Sequence, residues 1–108
     1  MAYSKIANVS AVTQGKAIKA AAGGKTLLLA NIGGSYYAIN NVCPHMGGSL
    51  ADGVLDGPVV TCPRHGSKFD VRTGKLVAPG RLAFIKVKVS DTVSYPVKVE
   101  GDDILVDI

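Results

Sequence analysis

The chain has 108 residues, 47% of them apolar and 19% charged, and a formal net charge of +4. This composition excludes a disordered chain, and the length suits one small domain over residues 1–108 with a modest core. No apolar run reaches the roughly 20 residues that a spanning helix needs, and the start carries no basic segment followed by a long apolar one, so the chain is expected in the cytoplasm.

Taken in order, the segments read mostly as strands. Residues 4–9, 16–20 and 25–32 are short, rich in small or β-favouring residues, and bounded by glycine or polar residues. Residues 17–22 also have helical propensity, cut short by Gly23-Gly24. Gly33-Gly34 lies between an aliphatic run and Tyr36-Tyr37-Ala38-Ile39, and predicts a tight hairpin turn. Val59-Val60-Thr61 and residues 68–71 flank a loop, and Thr73-Gly74 predicts a further turn. Residues 84–89 alternate apolar and basic side chains, as a half-buried strand does. Residues 95–100 and 104–108 predict a closing hairpin around Gly101-Asp102-Asp103. The expected fold class is therefore all-β, a small antiparallel sandwich or barrel.

Gly24-Lys25-Thr26 resembles the end of a phosphate-binding loop, but Lys19 stands where that motif needs its first glycine. Nucleotide binding is not expected.

All the cysteines and histidines fall in two matching pieces, Cys43-Pro44-His45-Met46-Gly47 and Cys62-Pro63-Arg64-His65-Gly66. The spacing is C-x-H, sixteen residues, then C-x-x-H. A disulfide between the two cysteines is uncommon in a reducing compartment and leaves the paired histidines unexplained. Two thiolates and two imidazoles suit zinc or an iron–sulfur cluster. Zinc modules usually pair cysteine with cysteine and histidine with histidine. Here each piece brings one of each, which a two-iron centre accommodates: one iron takes both cysteines and the other both histidines. Pro44 and Pro63 stiffen the chain after each cysteine, while Gly47, Gly48 and Gly66 let backbone N–H groups approach sulfur. A structural zinc module remains the non-redox alternative.

The two pieces, continued by Gly48-Ser49-Leu50 and Ser67-Lys68-Phe69-Asp70, resemble the cluster loops of the Rieske-type [2Fe–2S] proteins. The resemblance covers residues 37–76 and resumes at 95–100. It implies a Rieske fold, one [2Fe–2S] cluster, and Cys43, His45, Cys62 and His65 as its ligands. Gly47, Gly66, Ser67 and Phe69 would surround the cluster. Respiratory and photosynthetic members carry a second cysteine in each loop, forming a disulfide; Gly48 and Arg64 stand at those positions here. The chain thus resembles the disulfide-lacking, low-potential ferredoxins that pass electrons from a reductase to an oxygenase or related enzyme. With two thiolates the oxidised centre carries about zero net charge, against about −2 with four, so it accepts an electron more readily. Phe69 stands where high-potential members have a tyrosine that donates to a cysteine sulfur, whereas Ser67 matches a serine that donates to a bridging sulfide. A potential of about −150 to 0 mV is expected. With all ligand positions filled, the protein is expected to carry electrons without a substrate site of its own. The alternative role is a tightly bound electron-transfer subunit of an oxidoreductase.

Residues 64–88 hold seven basic side chains and one acid, Asp70. A docking role for Arg64, Lys68, Arg72 and Lys75 towards an acidic redox partner is expected from this asymmetry; nucleic-acid binding is not, for want of interleaved aromatic residues. Residues 81–93 form an extension relative to the bacterial ferredoxins, either a lengthened loop or a partner-binding hairpin.

Overall fold

The structure is a computed structural model and describes residues 3–43, 48–63, 66–78 and 90–108. Among these residues the chain forms eleven strands in three antiparallel sheets. The all-β expectation is met. No helix of the described residues is long and apolar enough to cross a membrane.

The central sheet is built on β3 (Lys25–Ile32), flanked by β2 (Ala17–Ala22) and β4 (Ser35–Asn40). Residues 27–31 of β3 are all buried, so both of its faces are covered, and Leu27 to Ala30 read as a continuous apolar run rather than an alternation. Gly33 and Gly34 have φ of 63° and 91° and join Ile32 to its partner Ser35 in a two-residue turn, as the sequence predicts. Gly23-Gly24 makes the same kind of turn between Ala22 and Lys25. That turn decides against a helix at residues 17–22. Two positive φ values fold the alanine-rich segment back along the leucine-rich β3, and this pairing overrides the local helical propensity.

The closing hairpin consists of β10 (Val97–Glu100) and β11 (Asp103–Asp107), and β1 (Tyr3–Asn8) pairs along the other edge of β11. Tyr95 is not part of this hairpin. It belongs to β9 (Ser94–Tyr95), which pairs with Ala38 and Ile39 of β4. Pro96 separates the two: it has no N–H to continue a ladder, and its carbonyl accepts from Asp107 N at 2.9 Å. The chain therefore changes sheets at this residue. The predicted strand at residues 84–89, and residues 81–89 of the extension, lie outside the described residues.

The third sheet runs β5 (Val54–Asp56), β6 (Val59–Thr61), β7 (Lys68–Asp70) and β8 (Leu76–Ala78) in consecutive order. Two buried clusters hold the sheets together. Leu27, Leu29 and Ala38 pack with Val12, Ile104 and Val106, between the central and terminal sheets. Leu28, Ala30 and Ile39 point to the other side and pack with Cys43, Leu50, Val60, Cys62, Phe69 and Val71. Alternate residues of one strand thus feed two separate cores, and both cysteines lie in the second.

Candidate metal centre

Both cysteines sit at the roots of chain reversals closed in the same way. Cys43 N donates to Gly48 O at 2.7 Å, and Cys62 N donates to Ser67 O at 2.8 Å. In each case the amide of the cysteine bonds the carbonyl five residues later and leaves four residues at the tip. The two C-x-H and C-x-x-H pieces are therefore closed alike at their roots as well as similar in sequence. His45, His65, Gly47 and Arg64 lie outside the described residues.

The second reversal stands on a strand ladder, with Val59, Val60 and Thr61 of β6 opposite Asp70, Phe69 and Lys68 of β7. Gly66 N also bonds back to Cys62 O at 3.1 Å. The first stands on a single bridge, Val42 opposite Ser49, after which the chain enters a short 3₁₀ turn at Leu50–Asp52.

Cys43 and Cys62 are 1% and 2% exposed and are not joined by a disulfide. They share an apolar shell with Leu50, Val60 and the fully buried Phe69. Ser67 is also fully buried at the exit of the second tip, and Gly66 is half-buried beside it. Of the sequence-predicted site residues, the structure thus brings Cys43, Cys62, Ser67 and Phe69 together under the two tips.

The basic region is less uniform than its sequence suggests. Arg72 holds Asp70 in a bidentate pair, with Nε to Oδ1 at 3.0 Å and a terminal guanidinium nitrogen to Oδ2 at 2.8 Å; Arg72 N adds a third bond to Oδ1. The side-chain hydrogen bond from Arg72 holds the Asp70 carboxyl below its ordinary value against a smaller opposing effect of burial, and Asp70 raises Arg72 in turn. Arg72 therefore presents a charge already neutralised by its neighbour. Lys68 and Lys75 are exposed and make no ion pair among the described residues.

Two residues at the site carry no sequence signal. Asn41 is buried two positions before Cys43, and Gly53 packs against the backbone of Thr61, the residue before Cys62.

The Rieske [2Fe–2S] domain model matches residues 2–87. The chain is 36% identical over 108 residues to the biphenyl dioxygenase ferredoxin subunit of Pseudomonas sp. strain KKS102, covering 99% of this chain and 93% of that one. Its structure is similar to the ferredoxin of carbazole 1,9a-dioxygenase from Nocardioides aromaticivorans IC177, with a TM-score of 0.85, 30% identity, and 98% and 97% of the two chains covered. It is also similar to a chain in the complex of reduced oxygenase and oxidised ferredoxin of carbazole 1,9a-dioxygenase, with a TM-score of 0.81, 27% identity, and 96% and 91% covered. The group to be tested against the site is thus a [2Fe–2S] cluster and not a zinc ion. The donor set fits: two soft sulfur donors, removed from water, sit on two equivalent reversals that share one apolar shell.

Proposed function

The chain belongs to the Rieske [2Fe–2S] domain family, and from that premise we propose that it is a one-electron carrier, passing electrons from a reductase to the terminal oxygenase of a dioxygenase system. The pairing of the two cysteine hairpins over one apolar shell carries this reading. Cys43 and Cys62 would hold one iron of the cluster and His45 and His65 the other. When bound, the cluster supplies a single one-electron couple. The chain's own part is to hold two thiolates rigidly and dry. Leu50, Val60 and Phe69 keep water from the sulfurs, and the two closing hydrogen bonds fix the separation of each cysteine from the far side of its tip. All ligand positions are then occupied by protein, so the domain has no substrate site of its own.

The low-potential, disulfide-lacking branch is the finer assignment. It is supported by the presence of only two cysteines in the sequence and by a phenyl ring, without a hydroxyl, at position 69. Residues 1–108 form one domain, and the protein works in the cytoplasm. Lys68 and Lys75, with Arg64 of the C-x-x-H piece, are the basic residues that meet an acidic partner; Arg72 is a weaker contributor because its pair with Asp70 carries no net charge.

Anaerobic mixing tests the role. The reduced protein should be reoxidised by the terminal oxygenase of a dioxygenase system, and the oxidised protein rereduced by the matching reductase, each faster than the two enzymes exchange electrons directly. Failure of both steps with a fully loaded protein overturns the carrier role. Co-purification of the native protein with an oxygenase at fixed stoichiometry, surviving dilution to micromolar concentration, identifies a bound subunit instead of a free carrier.

A further inference from the structure

The two hairpins that carry the cysteines are closed alike but supported differently. Beneath the second, three residue pairs of the β6–β7 ladder continue the reversal. Beneath the first there is one bridge, Val42 opposite Ser49, and then the chain turns away into the 3₁₀ turn. A single antiparallel pair leaves the two sides of a loop free to splay, because nothing below it repeats the constraint.

Asn41 occupies the place where that ladder would continue. It is 3% exposed. Its side-chain Nδ2 donates to Ser49 Oγ at 2.8 Å, and its Oδ1 accepts from Ala51 N at 2.8 Å. The backbone N–H of Ala51 can only donate, so it must face the oxygen, which fixes the amide's orientation. Its backbone N donates to Thr26 O at 3.0 Å, and its backbone O accepts from Leu50 N at 2.8 Å. One residue therefore ties the entry of the first cysteine loop to three consecutive residues of its exit, and anchors both to β3.

We propose that Asn41 is a positioning residue for the cluster: its amide, bridging Ser49 and Ala51, substitutes for the missing ladder and sets the geometry of the first cysteine loop. This rests on the Rieske reading of the site. Asn41 touches neither cysteine through its side-chain bonds and acts through the loop root. Removing the amide leaves the part-buried Ala51 N–H without its acceptor and lets Cys43 move relative to Gly48. Groups bonded directly to metal ligands change metal affinity by about 10–100-fold when removed, and a residue acting one step further out belongs at the lower end of that range.

Asn31 provides a matched control. It is a second buried amide, 5% exposed, with Nδ2 donating to Val12 O at 3.0 Å and Oδ1 accepting from Gly34 N at 3.0 Å. It lies at the opposite end of β3 from Thr26. The experiment compares the loaded wild-type protein with Asn41→Ala, Asn31→Ala, Ser49→Ala and Ser49→Thr. For each, the EPR line shape of the reduced protein, the rate of cluster bleaching by a chelator, and the thermal midpoint are recorded. Asn41→Ala should bleach about tenfold faster with a shifted or broadened EPR signal. Asn31→Ala should lower the midpoint with a wild-type EPR signal. Ser49→Ala should follow Asn41→Ala in direction and Ser49→Thr should restore wild-type behaviour. A wild-type signal and bleaching rate in Asn41→Ala, or an equal EPR change in Asn31→Ala, overturns the proposal. Should Asn41→Ala not yield loaded protein, the serine pair decides: a changed Ser49→Ala rescued by Ser49→Thr supports the assignment, and an unchanged Ser49→Ala overturns it. A wild-type protein without a Rieske-type signal overturns the underlying family reading as well, and does so before any variant is compared.

Discussion

Replacing Gly53 by alanine places a methyl carbon 1.9 Å from Thr61 O, 3.0 Å from Thr61 C and 3.2 Å from Leu50 O. Gly53 has φ −86° and ψ −163°, which alanine adopts without strain, so the cost is wholly steric. Every neighbour is backbone. Thr61 cannot retreat easily, because it pairs with Val54 on one side and Lys68 on the other. Restoring an ordinary contact needs about 1.5 Å of relative movement, at the upper end of what overpacked sites cost, about 3 kcal/mol. The loss of chain entropy in the unfolded state returns somewhat less than 1 kcal/mol. A net destabilisation of about 2 kcal/mol corresponds to a fall of about 8 °C in the midpoint for a chain of this size. The movement also falls on the peptide that leads into Cys62, so the cluster spectrum should change with it. The assay is a thermal scan at fixed rate, followed in the far ultraviolet and in the cluster's visible absorption. Gly24→Ala is the companion: open space surrounds Gly24, but its φ is 76°. It should cost about 1–2 kcal/mol and leave the visible spectrum alone. A Gly53→Ala protein melting within about 2 °C of wild type with an unchanged visible spectrum would refute the close crossing of the two loop roots.

Three other outcomes are expected. Ser67→Ala should lower the reduction potential by tens of millivolts and Phe69→Tyr should raise it by a similar amount, since one removes and the other adds a hydroxyl beneath the cysteine tips; protein-film voltammetry reads both, and a positive shift for Ser67→Ala contradicts the account. Electron exchange with an acidic partner should slow with rising ionic strength and slow further in Lys68→Gln, whereas removing the Arg72–Asp70 pair together, as Arg72→Gln with Asp70→Asn, should have a weaker effect because the pair carries no net charge; equal effects of the two changes in stopped-flow traces would contradict this ordering. Asp70 is held below its ordinary value of 3.8, so the stabilisation from its pair is fully present above that value and is lost as pH falls through the lower, folded-state value. The stability gap between wild type and Arg72→Gln in denaturant titrations should therefore be constant at neutral pH and shrink only below the ordinary aspartate range; a gap that closes near neutrality contradicts the pairing.

Much of the site is legible in the sequence because its chemistry depends on residue types that occur nowhere else in the chain. Two cysteines and two histidines at matched spacing announce paired loops, and the structure closes both loops identically at their cysteines. The central strand is equally plain, since a fully buried strand must be apolar on both faces. The less visible parts depend on pairing over long sequence distances. The alanine-rich β2 reads equally as a strand from residue 16 or as a short helix over residues 17–22, and it is a strand because β3 lies beside it. Strands β5 and β8 are three residues each, too short to show a period. Tyr95 reads as part of the closing hairpin because its own neighbours fit that pattern; its partner Ala38 is far away in sequence. Asn41 and Gly53 are single residues whose roles come from what crosses them, Ala51 and Thr61 respectively. The charge of Arg72 counts fully in a sequence tally and is cancelled in space by the carboxylate two residues before it.

The central claim is that one [2Fe–2S] cluster is held by Cys43, Cys62, His45 and His65. Iron and sulfide analysis of the purified protein, combined with nitrogen hyperfine spectroscopy of its reduced form after labelling histidine with ¹⁵N, tests it most directly. The account predicts two irons per chain, as the family's cluster requires, with coupling to two histidine nitrogens. That coupling should fall to one nitrogen in His45→Cys or His65→Cys. A stoichiometric zinc ion, or a two-iron centre with no histidine coupling, would contradict it.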